Sequence, residues 1–164
     1  MFNFFDHAYG ALSVRIHRYI KKNRHLADLT IINSNLFVGG TSDIQYIVKE
    51  GIHSILDLRK ESCDDKYLIK KFSINYLQIK IKDREIPSIE ETQNAINWIE
   101  TQIMQKRKVF VHCNLGRGRG PLMIILYLIS KGMDSKSAIN NVKEKRSFTF
   151  LNEKQLNFIK KFQS

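Results

Sequence analysis

A cysteine and an arginine, six positions apart, are the two residues of this chain best suited to chemistry. Cys113 ends a short apolar stretch, Arg119 follows it, and two of the five residues between them are glycines. A cysteine thiolate is a strong nucleophile. The planar guanidinium of arginine offers parallel donors that match two phosphate oxygens. The pair therefore predicts nucleophilic attack at phosphorus, with the phosphate group held by Arg119.

The residues on either side of this pair predict how it is positioned. Residues 109–111 are β-branched or aromatic and indicate a buried strand. Three glycines within five positions permit a tight loop, and Pro121 suits the first turn of a helix. Inward-facing amides before a helix N-terminus attract an anion and favour the thiolate form of the cysteine. We therefore predict a phosphate-binding loop made of Asn114, Leu115, Gly116, Arg117, Gly118 and Arg119.

His112, Cys113, five further residues and Arg119 resemble the His-Cys-x5-Arg signature of the cysteine-dependent phosphatases, the protein-tyrosine and dual-specificity superfamily. The resemblance implies phosphomonoester hydrolysis through a phosphocysteine intermediate, without a cofactor. It also implies that His112 orients the loop through hydrogen bonds, the alternative being a plain core histidine. No metal is expected, because the histidines and cysteines show no ligand spacing.

A second side chain must protonate the leaving oxygen, which is otherwise a poor leaving group. The related phosphatases carry this general acid on a loop that the polar residues 82–87 resemble, and Asp83 is the best candidate there. Glu85 and Asp57 are the alternatives. Asp57 lies inside a predicted strand, which favours a structural role for it.

Two residues of the loop bear on specificity and turnover. The loop ends in Arg-Gly-Arg, residues 117–119. This ending resembles that of the lipid-directed branch, which includes phosphatidylglycerophosphate phosphatases, and also that of some protein phosphatases. Arg117 either recognises a second negative group near the phosphate or simply faces solvent. Gly120 stands where the family usually has Ser or Thr, whose hydroxyl stabilises the departing thiolate. This difference predicts slow breakdown of the phosphocysteine, or a catalytically weak module that only binds phosphate.

The substrate class stays open at this point. Phosphoproteins modified on Tyr, Ser or Thr, and phosphoinositides or other phospholipids, are the main candidates, and RNA 5′-phosphates are an alternative. The net charge of +11 fits either a well-solvated surface or a partner that carries phosphates. We expect no stable oligomer.

The first 28 residues form a basic segment of their own. Leu12, Ile16, Tyr19 and Ile20 recur at helical spacing among arginines and lysines. This predicts an amphipathic helix, which either packs on the domain or contacts an anionic membrane through residues 11–24. No apolar run is long enough to span a membrane and no secretory signal is visible, so we expect a cytoplasmic protein with optional peripheral membrane contact. Cys63, in a charged loop, is either an inert surface thiol or a redox partner of Cys113.

The remaining chain, residues 29–164, is predicted to be one catalytic domain. Strands and helices alternate, which predicts an α/β fold with a mainly parallel central sheet flanked by helices, similar to the small dual-specificity phosphatase domain. The site then lies at the carboxyl end of a central strand. Ser88 and Glu91 form a capping box, and Asn152 is expected to cap the last helix. Four isoleucines are expected to mark the inner face of the helix after Ser88: Ile89, Ile96, Ile99 and Ile103.

Overall fold

The structure is a computed structural model that describes residues 28–163. The predicted amphipathic segment, residues 11–24 included, lies outside the described residues, and the domain boundary at residue 28 stays a prediction. Five strands are described: β1 (Leu29–Ile31), β2 (Leu36–Gly39), β3 (Ile52–Arg59), β4 (Asn75–Ile81) and β5 (Lys108–His112). Six helices accompany them: α1 (Ile44–Lys49), α2 (Lys66–Lys71), α3 (Ile89–Met104), α4 (Arg119–Ser130), α5 (Ser135–Lys145) and α6 (Glu153–Gln163).

The strands form one sheet with the order β1-β2-β5-β3-β4. β2, β5, β3 and β4 run parallel to one another, and β1 pairs antiparallel with β2. The predicted α/β fold with a mainly parallel sheet is therefore confirmed. β5 occupies the centre of the sheet, so the residues that follow it emerge in the middle of the carboxyl edge, where ligands bind in such sheets.

Helices cover both faces of the sheet. The larger core lies between one face and α3 to α6, and α4 is buried on most sides, as its apolar sequence predicts. The smaller core lies under α1 and α2 and includes Phe37, Ile55 and Phe110. None of the helices in the described part of the chain is long and apolar enough to cross a membrane.

The helix that follows the acid loop begins as predicted but buries a different set of residues. Ser88 Oγ accepts from the amide of Glu91 at 3.0 Å, and the Ser88 amide donates to the Glu91 carboxylate at 2.7 Å, which completes the capping box. The prediction that Ile89 faces inward was wrong, since this residue is 63% exposed. Ile89 is the first residue of α3, and burial begins one turn later, at Thr92. Ile96 and Ile99 are buried, as predicted.

Candidate active site

Cys113 lies directly after the central strand β5 and is buried. The loop that follows it ends at Gly118, the N-cap of α4, and Arg119 is the first residue of that helix. The predicted succession of strand, glycine loop and helix is therefore present. Gly116 has a φ of +64°, and a Cβ there would lie 2.4 Å from the Gly39 carbonyl carbon. This position needs glycine both for its backbone conformation and for its close approach to β2.

Arg119 is nearly fully buried, at 2% exposure. Its Nη1 and Nη2 donate to the two carboxylate oxygens of Glu61 at 2.8 and 2.6 Å, a bidentate pair. Nη1 also donates to the Ile81 carbonyl at 2.9 Å. Its Nε is buried and has no hydrogen-bond partner among the described residues. The side chain is thus held rigidly with one donor left for a ligand oxygen.

The charges around this arginine are strongly coupled. Burial acts to lower the pKa of Arg119, but its hydrogen bonds to Glu61 and its Coulomb interactions with Cys113, Glu61 and Asp83 outweigh burial and raise that pKa. The same arginine, chiefly through its hydrogen bond, lowers the pKa of Glu61 to about 2. Arg119 therefore stays cationic and Glu61 stays anionic at neutral pH.

Sequence reasoning missed Glu61. It lies in the loop that follows β3, at the same carboxyl edge of the sheet as Cys113. An acid just beyond a parallel strand next to the central strand was the available signal, since it must face the same edge.

The structure brings one of the three candidate acids to Arg119. Asp83 Oδ1 lies 3.3 Å from Arg119 Nη2, and the Asp83 side chain is 74% exposed, open to an incoming substrate. Glu85 instead forms an exposed ion pair with Lys154. Asp57 is fully buried and hydrogen bonded within the sheet, which fits the structural role expected for it.

His112 sits beneath the phosphate loop. Its Nε2 lies 2.9 Å from Asp64 Oδ2, its Nδ1 lies 3.4 Å from the Cys113 carbonyl oxygen, and its ring stacks on that of Phe110. These contacts fix the ring against the backbone of the nucleophile, in keeping with the predicted orienting role. Asp64 was not anticipated from the sequence.

A group of potential metal ligands lies next to this histidine. Ligand atoms of Asp57, Asp64 and His112 lie within 4.8 Å of one another. However, Arg59 Nη2 donates to Asp57 at 2.7 Å and to Asp64 at 2.6 Å. Burial opposes the charge of Arg59, but the two carboxylates outweigh burial and raise its pKa. The guanidinium is the cation of this cluster, which leaves no role there for a metal.

Arg117 is only partly exposed, and its recognition of a second negative group near the phosphate stays a prediction. Its side chain is half-buried, which lowers its pKa, and its Nε donates to the Phe148 carbonyl at 3.2 Å. The Arg117 carbonyl in turn accepts from the Phe150 amide at 2.8 Å. Cys63 is exposed and unbridged, and its role as a redox partner stays a prediction.

A further residue that the sequence did not reveal supports the loop from behind. Arg146, at the end of α5, is 1% exposed and donates through Nε to the Gly116 carbonyl. Its Nη1 and Nη2 donate to the Asp28 carboxylate at 3.0 and 2.6 Å. The phosphate loop is thus tied to α5 and to the start of β1.

Curated relatives match part of this chain. Phosphatidylglycerophosphate phosphatase PTPMT2 of Arabidopsis thaliana is 27% identical over 124 residues, covering 73% of this chain and 54% of that protein. Protein tyrosine phosphatase type IVA 2 of Mus musculus is 31% identical over 105 residues, covering 61% of this chain and 62% of that protein. The chain thus spans between half and two thirds of the length of these relatives.

Solved structures share the fold. The active form of Tk-PTP superposes with a TM-score of 0.76 at 21% identity, covering 83% of this chain and 96% of that one. PTPMT1 superposes with a TM-score of 0.75 at 19% identity, covering 82% of this chain and 93% of that one. The family model for the dual-specificity phosphatase catalytic domain matches residues 36–164, a range that contains the nucleophile loop, Glu61 and Asp83. This chain therefore belongs to the dual-specificity phosphatase catalytic-domain family.

Proposed function

We propose that this chain hydrolyses phosphomonoesters through a phosphocysteine formed at Cys113. The observation that carries the proposal is the state of Arg119: it is buried, it pairs with Glu61, and its Nε has no hydrogen-bond partner among residues 28–163. A buried donor without a partner is costly to a fold. A phosphate oxygen is the natural acceptor, since the loop amides and the N-terminus of α4 attract the same anion.

The reaction has two steps. In the first, the Cys113 thiolate forms a bond to phosphorus, the ester oxygen–phosphorus bond breaks, and Asp83 gives its proton to the leaving oxygen. In the second, water attacks phosphorus, Asp83 takes a proton from that water, and the sulfur–phosphorus bond breaks to release phosphate. Arg119 stabilises the charge on the phosphoryl oxygens in both steps, an electrostatic role that typically contributes about 2.7–4 kcal/mol per donor.

The proposed substrates are phosphoproteins and phosphoinositides or other phospholipids. Relatives named as a protein tyrosine phosphatase and as a phosphatidylglycerophosphate phosphatase support both classes, and PTPMT1 has been solved in complex with PI(5)P. RNA 5′-phosphates are the alternative that the net charge favours. A cytoplasmic location with peripheral membrane contact belongs to the same proposal.

Hydrolysis of para-nitrophenyl phosphate and phenyl phosphate in EDTA tests the mechanism. We expect Cys113→Ser to abolish turnover. We expect Asp83→Ala to lower kcat/KM on phenyl phosphate by about 10²-fold, the lower end of general-acid contributions. Glu85→Ala, a change to an acid two residues away, serves as the matched control and should stay within twofold. Turnover by the Cys113→Ser variant, or loss of parent activity in EDTA, would contradict the mechanism.

Two further measurements address the alternatives. Vanadate or phosphate binding without turnover in the parent would indicate a phosphate-binding module. Phosphate release from a phosphotyrosine peptide, from phosphoinositide vesicles and from a 5′-phosphorylated RNA, compared at equal concentration, would rank the substrate classes.

A further inference from the structure

The connection from α5 to α6 and the first turn of α6 contact both loops of the proposed active site. Phe148 and Phe150 exchange hydrogen bonds with Arg117 on the phosphate loop. Asn152 and Gln155 hydrogen bond to the loop that carries Asp83. We call these four residues, Phe148, Phe150, Asn152 and Gln155, the bridging residues. Because they reach both loops, they set the distance between the nucleophile and the general acid.

Asn152 makes the shorter of the two contacts that the bridging residues form with the acid loop. Its Nδ2 donates to the Arg84 carbonyl at 2.7 Å, while its Oδ1 accepts from the Gln155 amide at 3.0 Å and caps α6. Arg84 has a φ of +63°, a left-handed conformation that is unfavourable for a residue other than glycine. Arg84 directly follows Asp83, so the conformation held by Asn152 decides where Asp83 is presented.

Gln155 holds Asn152 in turn. The Gln155 side chain is buried at 1% exposure, and its Oε1 accepts from the Asn152 amide at 3.2 Å. Its Nε2 donates to the Glu85 carbonyl at 3.4 Å. By contrast, the ion pair between Lys154 and Glu85 is exposed, and exposed pairs contribute little. The side-chain amides of half-buried Asn152 and buried Gln155 hold the acid loop at its backbone carbonyls, whereas Lys154 contacts only the Glu85 side chain.

We propose that Asn152 is a positioning residue for catalysis, which acts by holding the acid loop so that Asp83 reaches the leaving oxygen. The inference rests on the proposed role of Asp83 as general acid. Proton transfer needs donor and acceptor oxygens about 2.6–3.2 Å apart. A displacement of about 1 Å can cost roughly 10²-fold in rate. The hydrogen bond to the Arg84 carbonyl is the shorter of the two amide contacts that hold this loop, so its loss should displace Asp83.

Asn152→Ser separates this role from helix capping. Serine caps a helix about as well as asparagine, but it lacks the amide that reaches the Arg84 carbonyl. We expect kcat/KM on phenyl phosphate, whose leaving group needs a proton, to fall about tenfold. We expect kcat/KM on para-nitrophenyl phosphate, whose leaving group needs little assistance, to change less than twofold. A structural role in folding alone would lower both rates equally.

Three comparisons complete the kinetic test. Lys154→Ala removes the exposed contact to the same loop and should change neither rate by more than twofold. In an Asp83→Ala background, Asn152→Ser should have no further effect, because the group that it positions is gone. Additive losses in that double variant, or equal rates for Asn152→Ser and the parent on phenyl phosphate, would overturn the proposal. An inactive Cys113→Ser with an unaffected Asp83→Ala would instead reject Asp83 as the acid.

Hydrogen exchange gives a readout that does not depend on turnover. We expect the amides of residues 82–86 to exchange at least fivefold faster in Asn152→Ser than in the parent, with the core strands and the melting temperature unchanged. Unchanged exchange of that loop, relative to Lys154→Ala and the parent, would overturn the proposal even if the chain proved to be a binding module.

Discussion

Gly120 is the residue of the site that departs furthest from the family signature. A Cβ added there would lie 3.2 Å from Val38 Cγ2 and 3.8 Å from the Cys113 amide nitrogen. A small side chain therefore fits after a shift of a few tenths of an ångström, and it would sit beside the nucleophile. The absence of a hydroxyl at this position removes one hydrogen bond to the departing thiolate, which predicts slower breakdown of the phosphocysteine.

We expect the parent to show a burst approaching one equivalent when mixed rapidly with a saturating aryl phosphate, because breakdown of the phosphocysteine is slow. Gly120→Ser should raise the steady-state rate about tenfold and shrink the burst, since a hydrogen bond to a charged group contributes about 1.5–3 kcal/mol. Gly120→Ala fills the same space without a hydroxyl and should leave both quantities as in the parent. A linear onset in the parent would refute this kinetic scheme.

Glu61 makes stability depend on pH in the acid range. Its pKa is lowered from 4.5 to about 2 in the folded chain by Arg119. A lowered pKa contributes stability that is fully present above the unfolded value and is lost as pH falls toward the folded value. Glu61→Gln should therefore cost stability at pH 7, and the difference from the parent should shrink between pH 4.5 and about 2.

Urea unfolding at several pH values measures this difference. Glu144→Gln, a change to an exposed acid on α5, should remain close to the parent throughout. A gap between parent and Glu61→Gln that stays constant from pH 7 to pH 3 would contradict the assignment of the Glu61–Arg119 pair as the cause.

At the scale of elements, α5 supports the phosphate loop although it contributes no residue to the site itself. Arg146, the C-cap residue directly after α5, links the Gly116 carbonyl to the Asp28 carboxylate at the start of β1, and Thr30 Oγ1 also accepts from it at 2.7 Å. The Phe148 ring lies 4.2 Å from its guanidinium. The buried guanidinium of Arg146 therefore connects the end of α5 to the phosphate loop and to the edge strand β1.

Arg146→Met should lower the free energy of unfolding by about 3–5 kcal/mol, because it removes the buried cation that forms an ion pair with the Asp28 carboxylate. It should also weaken vanadate binding, since Gly116 loses its support. Lys143→Met, three residues earlier and exposed on the same helix, should change stability by less than about 0.5 kcal/mol. Urea denaturation measures the free energy of unfolding of both variants. A loss below about 1 kcal/mol for Arg146→Met would contradict the proposed role of Arg146 in holding these elements together.

At the scale of the whole molecule, the chain enters the fold beside the proposed active site. β1 runs antiparallel to β2, which pairs Leu29 with Gly39, and Asp28 Oδ2 accepts from the Gly40 amide at 2.8 Å. Asp28, the first residue that the structure describes, therefore lies at the carboxyl edge of the sheet, on the same side as the phosphate loop.

We expect the five basic residues of the N-terminal segment to direct binding to anionic vesicles. Changing Arg15, Arg18, Lys21, Lys22 and Arg24 to glutamine should weaken cosedimentation with phosphatidylserine vesicles at least hundredfold, since each basic residue near an anionic surface contributes about 1 kcal/mol. A control variant removes the same charge elsewhere, at exposed lysines: Lys49, Lys80, Lys136, Lys143 and Lys160.

The control variant should lose much less vesicle affinity, and neither protein should bind neutral phosphatidylcholine vesicles. Equal losses in the two variants would show that net charge alone, and not this segment, governs binding. Binding to RNA that exceeds binding to vesicles at the same salt concentration would favour the nucleic-acid alternative.

The sequence by itself determined the parts of the molecule that depend on near neighbours. The succession from β5 through the glycine loop to α4, the capping box at Ser88, the cap at Asn152 and the alternation that gives a parallel sheet all follow from residues a few positions apart. The same local pattern predicted Cys113 and Arg119 as the reacting pair. The family resemblance then predicted Asp83 as the general acid, and the structure brings Asp83 within 3.3 Å of that arginine.

Only the tertiary structure decided what surrounds the reacting pair. Glu61 reaches Arg119 across 58 residues, Asp64 reaches His112 across 48, and Asp28 reaches Arg146 across 118. Helical and strand periodicities relate residues a few positions apart and carry no information about which distant charges meet. The exposure of Ile89 was missed for a similar reason, since burial depends on what packs against a helix turn and not on its spacing. These partners meet because strand pairing and the packing of helices on the sheet bring distant parts of the chain together.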